Sequence, residues 1–254
     1  GPALSGFLIA GFGPAGMYLA DVASFAVMVV ILQFLAVPVP ATTEARRVTI
    51  RRNILDGFAW LRHRPLLLQL IGLDLSCTLF GAYRVVLPAL STDVLHVGPS
   101  GYGMLSAAPA VGALVGSALV LRVARTARSG VVVLASTAAY GVATIGLAQS
   151  PLFVLALLGA AGIGLSDAMH TAIRHAAVQL ETPDTIRGRV TALYQIASRG
   201  GPAVGDLNIG LVAGAIGPVA ALSLGGVLPI VAAGLGLTRG RVRGYEVPQH
   251  EPVG

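Results

Sequence analysis

The chain has 254 residues, of which 55% are hydrophobic and only 11% are charged. Soluble domains carry about 25% charged residues, so this composition excludes a water-soluble globular domain and indicates a protein embedded in a membrane. The net charge of +6 comes from 17 arginines without any lysine. These arginines cluster between apolar runs without interleaved aromatic residues, which argues against a nucleic-acid binder.

Eight apolar segments follow one another along the chain. Seven of them reach the length of about 20 residues that a helix needs to cross the hydrocarbon core. The first covers only about 18 Å at 1.5 Å per residue, so we expect further sequence upstream of it. The eight segments are 1–12, 14–36, 66–90, 103–123, 131–149, 152–178, 190–213 and 217–237.

Arginines occupy every second connection between these segments. They are present within 46–64, 122–128, 187–189 and 239–243, and they are absent from 91–101, 148–151 and 213–218. Cytoplasmic loops of membrane proteins carry an excess of basic residues, so the pattern predicts a multi-pass protein whose 38–65 linker and carboxyl-terminal tail are cytoplasmic.

A short amphipathic pattern lies within that linker. The stretch "NILDGFAWLRHRP" places Ile54, Phe58 and Leu61 at helical spacing with arginines nearby. This spacing is typical of a helix that lies on the membrane surface, and equally of a helix that packs on neighbouring loops.

One glycine-proline stretch occurs twice. The chain begins "GPALSGFLIAGFGP", and residues 201–218 read "GPAVGDLNIGLVAGAIGP". Because the segments that carry the two copies are six positions apart in chain order, they are corresponding members of two six-helix halves. The repeat predicts an all-α membrane protein that comprises the end of helix 5 through helix 12 of a twelve-helix fold. Residues 1–37 then close the first half, 38–65 form the linker, 66–237 form the second half and 238–254 form the tail.

Four stretches carry a family resemblance. "GPALSG" resembles the glycine-proline motif of major facilitator exporters, and "HVGPSGYGMLSAAPAVGALVGS" (96–117), "TPDTIRGRV" (182–190) and "ASRGGPAVGDL" (197–207) are similar to second-half signatures of the enterobactin-exporter-like branch. The resemblance implies a bacterial inner-membrane transporter that exports a small molecule, such as a siderophore or drug, by alternating access with protons as coupling ion and no cofactor. Asp206 departs from the small residue usual at its position.

Charged side chains inside the apolar segments are candidates for the substrate and proton pathway, because such charges are costly in lipid. Asp167, His170 and Arg174 share one helix face, although Arg174 and His175 are expected to snorkel to the cytoplasmic interface. Arg199 is expected to pair with Asp167 or Asp74 across a cavity, or to form a static pair that locks two helices. The candidates are Asp74, Arg84, Asp167, His170, Arg199 and Asp206.

Other residues are candidates for conformational change rather than for substrate or proton binding. Gly1, Pro2, Gly201 and Pro202 form the repeated motif, and the small residues of "GALVGSA" and "GAAGIG" predict close helix packing. Arg187 and Arg189 lie at a helix junction, where they either latch one access state or anchor the loop in the cytoplasm.

Two other classes of protein remain as alternatives. A membrane enzyme would need a compact catalytic or metal-binding constellation, but His170 and His175 are five residues apart and no His-x-x-x-His or Gly-x-Ser-x-Gly pattern occurs. A transport-inactive scaffold or sensor is compatible with the sequence. We therefore predict neither enzymatic activity nor a metal site.

Overall fold

In the computed structural model, residues 2–34, 57–123, 128–239 and 241–246 are described, and side chains within 2–12, 14, 17, 20, 184, 185, 199 and 239 are not. The described residues form helices and connections without strands, which confirms the all-α prediction. The long helices are α1 (Pro2–Phe34), α2 (Pro65–Phe80), α3 (Gly98–Val123), α4 (Ser129–Gln149), α5 (Phe153–Glu181), α6 (Asp184–Ile216) and α7 (Pro218–Arg239).

The two Gly-Pro pairs make equivalent breaks in the helical backbone. Gly13 interrupts α1 with φ 72° and ψ 173°, and Gly217 separates α6 from α7 with φ 86° and ψ 157°. Glycine adopts positive φ without the penalty that a Cβ imposes, and the proline that follows is preorganised for the first turn of a helix. The repeat seen in the sequence thus corresponds to a repeated turn.

The predicted apolar segment 66–90 is long enough to span a membrane as part of Pro65–Val94, but it is not one continuous α-helix. After α2 the chain continues through a 3₁₀ turn (Arg84–Val86), a single α turn (Leu87–Ala89) and a π turn (Leu90–Val94). Pro88 has no N–H to donate to the Arg84 carbonyl, which instead accepts from the Leu87 N–H. The free Gly81 carbonyl accepts a hydrogen bond of 3.0 Å from the Tyr140 hydroxyl.

Helix α5 packs against α3 and α4, α4 packs against α7, and α2 lies against α6 and α7, while α1 lies along α3. Glycines carry the closest of these contacts. A Cβ on Gly112 would collide with the Ala161 carbonyl oxygen, and a Cβ on Gly164 would collide with that of Pro109. The predicted packing face at 112–118 therefore lies against α5, whereas the one at 159–164 contacts α3 at Gly164 and α4 at Gly159 and Gly162.

Five helical segments of the described chain are long and apolar enough to cross a membrane. The part of the predicted segment 14–36 whose side chains are all described, Asp21–Phe34, is an apolar part of α1. The 33-residue α6 does not meet the criterion, because several charged residues lower its mean hydropathy. The five are Pro65–Val94, Gly98–Val123, Ser129–Gln149, Phe153–Glu181 and Pro218–Thr238.

Helical residues 57–61 and the tail at 241–246 cover one end of the bundle. Leu61 is buried in the same core cluster as Val242 and Tyr245, whereas Phe58 is exposed. The tail carbonyl of Tyr245 accepts from the first-turn N–H of Gly130 at 2.9 Å. Ile54 lies outside the described residues.

Candidate functional site

Asp74 is a buried carboxylate inside α2, with only 4% of its surface exposed. Its Oδ1 atom lies 3.2 Å from Nε2 of His170 and forms an ion pair with Nη1 of Arg174. Both partners belong to α5. One carboxylate oxygen therefore joins α2 to α5 through two basic side chains.

The spacing on α5 explains why both side chains reach the same oxygen. His170 and Arg174 are four residues apart, so they lie one above the other on the same helix face. The expectation that Arg174 snorkels to the interface is wrong, because only 3% of this residue is exposed. A buried guanidinium needs a counter-charge, and Asp74 supplies it.

The His170 ring lies between two hydrogen-bond acceptors. Its Nε2 faces Asp74, and its Nδ1 lies 3.3 Å from the Ser166 carbonyl oxygen. A neutral imidazole carries one N–H and can donate to only one of these acceptors, whereas an imidazolium donates to both. The two protonation states of His170 therefore differ in whether the ring donates to one of these acceptors or to both.

Arg174 extends the cluster towards α6. Its Cζ lies 5.1 Å from the centroid of the Tyr194 ring, in cation–π range. His175 meets the same ring edge-on at 4.9 Å. Tyr194 is itself buried, so the three helices α2, α5 and α6 meet at one polar contact within an apolar core.

A second, more open group of polar side chains lies beside this cluster. Asp167 is 56% exposed and its Oδ1 lies 3.9 Å from His170 Nδ1. Its carboxylate is near enough to Tyr83 and Arg84 to act on both electrostatically, and the carboxylate of Asp206 acts on Tyr83 as well. Arg84 is exposed and Asp206 is partly buried. Asp167 therefore connects the buried cluster to an exposed polar surface.

The two carboxylates predicted as partners of Arg199 both contact other side chains. Asp74 is bonded to Arg174 and His170, and Asp167 contacts His170. The side chain of Arg199 lies outside the described residues, as do Gly1 and the side chain of Pro2. The roles expected of Arg199, Gly1 and Pro2 therefore stay predictions.

The second glycine-proline motif lies where α6 approaches α2. A Cβ on Gly201 would lie 3.2 Å from Thr78 Oγ1, and a Cβ on Gly205 would collide with the Thr78 carbonyl oxygen. Asn208, which the sequence analysis missed, donates from Nδ2 to the Leu79 carbonyl at 3.0 Å. Its position on a helix rich in small residues is the signal that could have identified it. Pro202 is partly buried in this region.

The helix junction before α6 positions the predicted latch. Arg187 donates from Nη2 to the Thr182 carbonyl oxygen at 3.3 Å. The backbone of Arg189 is close to residue 57, where a Cβ would lie 3.3 Å from the Arg189 carbonyl oxygen. The described residues contain no group of three or more His, Cys, Asp or Glu side chains that could hold a metal ion.

Comparisons with known proteins identify relatives along the whole chain. A family model described as "Transmembrane secretion effector" matches residues 1–253. The protein named Enterobactin exporter EntS from Citrobacter koseri is 29% identical over 100% of this chain and 60% of its own length. The proteins of the same name from Escherichia coli O81 and Shigella boydii serotype 18 are 28% identical over 89% of this chain and 53% of theirs.

No solved structure matches the chain. The chain spans between about half and three fifths of the length of these curated relatives. The match to the family model extends across the second glycine-proline motif and all of the helices that carry the polar cluster. The chain therefore belongs to the transmembrane secretion effector family of the major facilitator superfamily.

Proposed function

We propose that the protein exports a small molecule from the cell by alternating access, with protons as the coupling ion. The observation that carries the proposal is the buried contact of Asp74 with His170 and Arg174, which joins two helices through groups that can change protonation. We infer the export activity from the relatives that are named enterobactin exporters.

The chemistry of the contact suits coupling. When Asp74 is ionised, it accepts hydrogen bonds from two cationic or donor groups on α5 and holds α2 against that helix. Protonation of Asp74 removes its charge and leaves the Arg174 guanidinium without a counter-ion in a buried place, which costs several kcal/mol. The protonated state is thereby driven towards an arrangement in which α5 has moved and Arg174 has another partner.

The open polar surface is the proposed place for substrate. Asp167, Arg84 and Asp206 are accessible and carry both signs of charge, and transporters of this superfamily hold substrate between their two halves. His170 contacts both Asp74 and Asp167, so a charged group on the substrate that binds Asp167 would alter the hydrogen bonding of His170. Arg199 is proposed to line the same surface from α6.

Alternating access requires helix contacts that can shift and connections that stabilise each state. Gly201 and Pro202 allow α6 to approach α2 closely, and small residues at such contacts let helices shift without steric clash. Arg187 and Arg189 are proposed to latch the junction before α6 in one access state. Gly1 and Pro2 are proposed to serve the first half in the way that Gly201 and Pro202 serve the second.

The proposed orientation in the bacterial inner membrane is based on which connections contain arginines. Residues 1–37 belong to the first six-helix half, 38–65 to a cytoplasmic linker, 66–237 to the second half and 238–254 to a cytoplasmic tail. Alternation of basic and non-basic connections supports this orientation.

Accumulation in cells tests export. Bacteria that lack their own exporters and carry the complete gene are loaded with enterobactin or, separately, with the drug analogue ethidium, and the retained amount is measured. We expect lower retention of one compound with the wild-type gene, and full retention with Asp74→Asn. Asp93→Asn is the matched control, because Asp93 is exposed and lies outside the cluster. Equal retention by cells with and without the wild-type gene would favour the scaffold instead.

A further inference from the structure

A cavity lies at the end of the bundle where the tail folds back, away from the polar cluster. Its volume is about 630 Å³. Three of its lining residues are arginines, and these come from two parts of the chain that are distant in sequence. The lining consists of Leu66, Arg128, Arg241, Arg243, Gly244 and Tyr245.

The backbone segment that carries Arg241 and Arg243 is held in place at both ends. The Arg241 N–H donates to Oε1 of Gln69 on α2 at 2.9 Å, and the Tyr245 carbonyl accepts from the Gly130 N–H on α4 at 2.9 Å. Between these two bonds, Val242 is fully buried. The arginine side chains therefore project from a fixed turn rather than from a mobile tail, which lowers the entropy cost of binding a ligand.

The charge of the cavity is positive. Two carboxylates lie near the three guanidinium groups: Arg128 Nε lies 3.8 Å from Glu246 Oε1, and the Glu181 carboxylate acts on Tyr245. Both side chains of the pair of Arg128 and Glu246 are more than two thirds exposed, and exposed pairs of this kind are weak and easily exchanged. Burial and the Glu181 carboxylate raise the pKa of Tyr245 to about 12, so the phenol adds no negative charge at neutral pH.

Exposed apolar side chains lie close in sequence to the residues that line the cavity. Leu68 lies on the first turn of α2, Val131 on the first turn of α4 and Leu237 near the end of α7, and all three are exposed. These positions lie at the ends of three segments that are long and apolar enough to span a membrane. A ligand seated on the arginines would therefore lie at the end of segments whose exposed side chains are apolar.

We propose that this cavity binds the phosphate headgroup of an anionic membrane phospholipid, with the acyl chains lying along the exposed apolar ends of α2, α4 and α7. Arginine binds phosphate oxygens in a bidentate manner, and basic pockets between membrane helices are suited to anionic headgroups. The adjoining apolar surface favours a lipid over free phosphate, which has no apolar part to bury.

The proposal is tested with purified full-length protein in neutral detergent. Short-chain phosphatidylglycerol is titrated while thermal unfolding is followed, and phosphatidylcholine of the same chain length and inorganic phosphate form the two comparison arms. We expect stabilisation by phosphatidylglycerol only. The double variant Arg241→Gln, Arg243→Gln should weaken the apparent affinity about 25-fold, or about fivefold for each arginine removed.

Arg62→Gln is the matched control, because Arg62 is an exposed arginine near the start of α2 that does not line the cavity. It should leave the affinity unchanged, and the ligand-free unfolding temperature should be the same in all variants since the substituted side chains are exposed. Equal weakening by Arg62→Gln would mean unspecific charge attraction and would overturn the proposal. Stabilisation by inorganic phosphate as large as that by phosphatidylglycerol would overturn it as well.

Discussion

Asp74, His170 and Arg174 depend on one another for their place in the core. A lone arginine or aspartate in the middle of a membrane helix costs about 2.5–3.5 kcal/mol by insertion measurements. Here the carboxylate and the guanidinium neutralise each other, and the imidazole satisfies a further hydrogen bond. Removing one member therefore exposes the others to the cost of an unpaired buried charge.

The mutual dependence of these three residues can be measured by substitution. Arg174→Gln leaves the Asp74 carboxylate with His170 alone and should lower the free energy of unfolding by about 3–5 kcal/mol. Adding Asp74→Asn to that variant removes the unpaired charge and should restore part of the loss. Reversible unfolding in detergent measures both, and Arg84→Gln serves as the control since Arg84 is exposed. Additive effects of the two substitutions would show that the pair is not coupled.

At the scale of helices, glycines set how closely α3 and α5 approach each other. Gly112 faces the Ala161 carbonyl and Gly164 faces the Pro109 carbonyl, with no room for a side chain at either position. Large apolar side chains of both helices, such as Leu105 and Ile163, are also buried in the core. The glycines therefore set the distance between the two backbones, and the apolar side chains pack around these contacts.

Gly112→Ala tests that account. The added methyl group meets the Ala161 carbonyl oxygen, so the helices must separate and the unfolding free energy should fall by about 1–3 kcal/mol. The matched substitution Gly146→Ala adds the same group to α4 at an exposed position where nothing lies within 4 Å. It should be neutral or stabilising by up to about 1 kcal/mol, because alanine is the better helix former. Similar losses in both variants would refute the packing explanation.

The turn between α6 and α7 gives a separate prediction. Gly217 has φ 86° and ψ 157°, a region that is almost restricted to glycine and costs a residue with a Cβ about 1–3 kcal/mol. Gly217→Ala should lower the unfolding temperature, whereas Gly214→Ala, three residues earlier in the helix with open space around it, should not. Circular dichroism during heating measures the unfolding temperatures. If Gly217→Ala left the unfolding temperature unchanged, the positive φ assigned to this position would be contradicted.

Local features of this fold were readable from the sequence, whereas contacts between helices were not. The Gly-Pro turns at Gly13 and Gly217 follow from backbone preferences, and the helices follow from long apolar runs. The Arg174 pairing depends on which residue of α2 meets α5, and no spacing within one helix contains that information. The break at Gly81 was missed for the same reason, since its carbonyl is satisfied by Tyr140 from α4.

For the whole molecule, the basic connections predict which ends face the cytoplasm. In a Cys77→Ser background, Asp93→Cys should react with a membrane-impermeant maleimide in intact cells, whereas Arg243→Cys should react only after the membrane is opened. Both positions are exposed, and the native Cys77 is buried. Labelling of Arg243→Cys in intact cells would reverse the orientation.

We propose that the buried cluster of Asp74, His170 and Arg174 links proton movement to substrate movement. Proteoliposomes that contain the full-length protein and a pH-sensitive dye in the lumen test this link most directly, with an exported compound added outside as the trigger. The wild-type protein and Asp93→Asn should give a luminal pH change upon addition of the compound, and Asp74→Asn should give none. A pH change of wild-type size with Asp74→Asn would contradict the assignment of Asp74 to proton coupling.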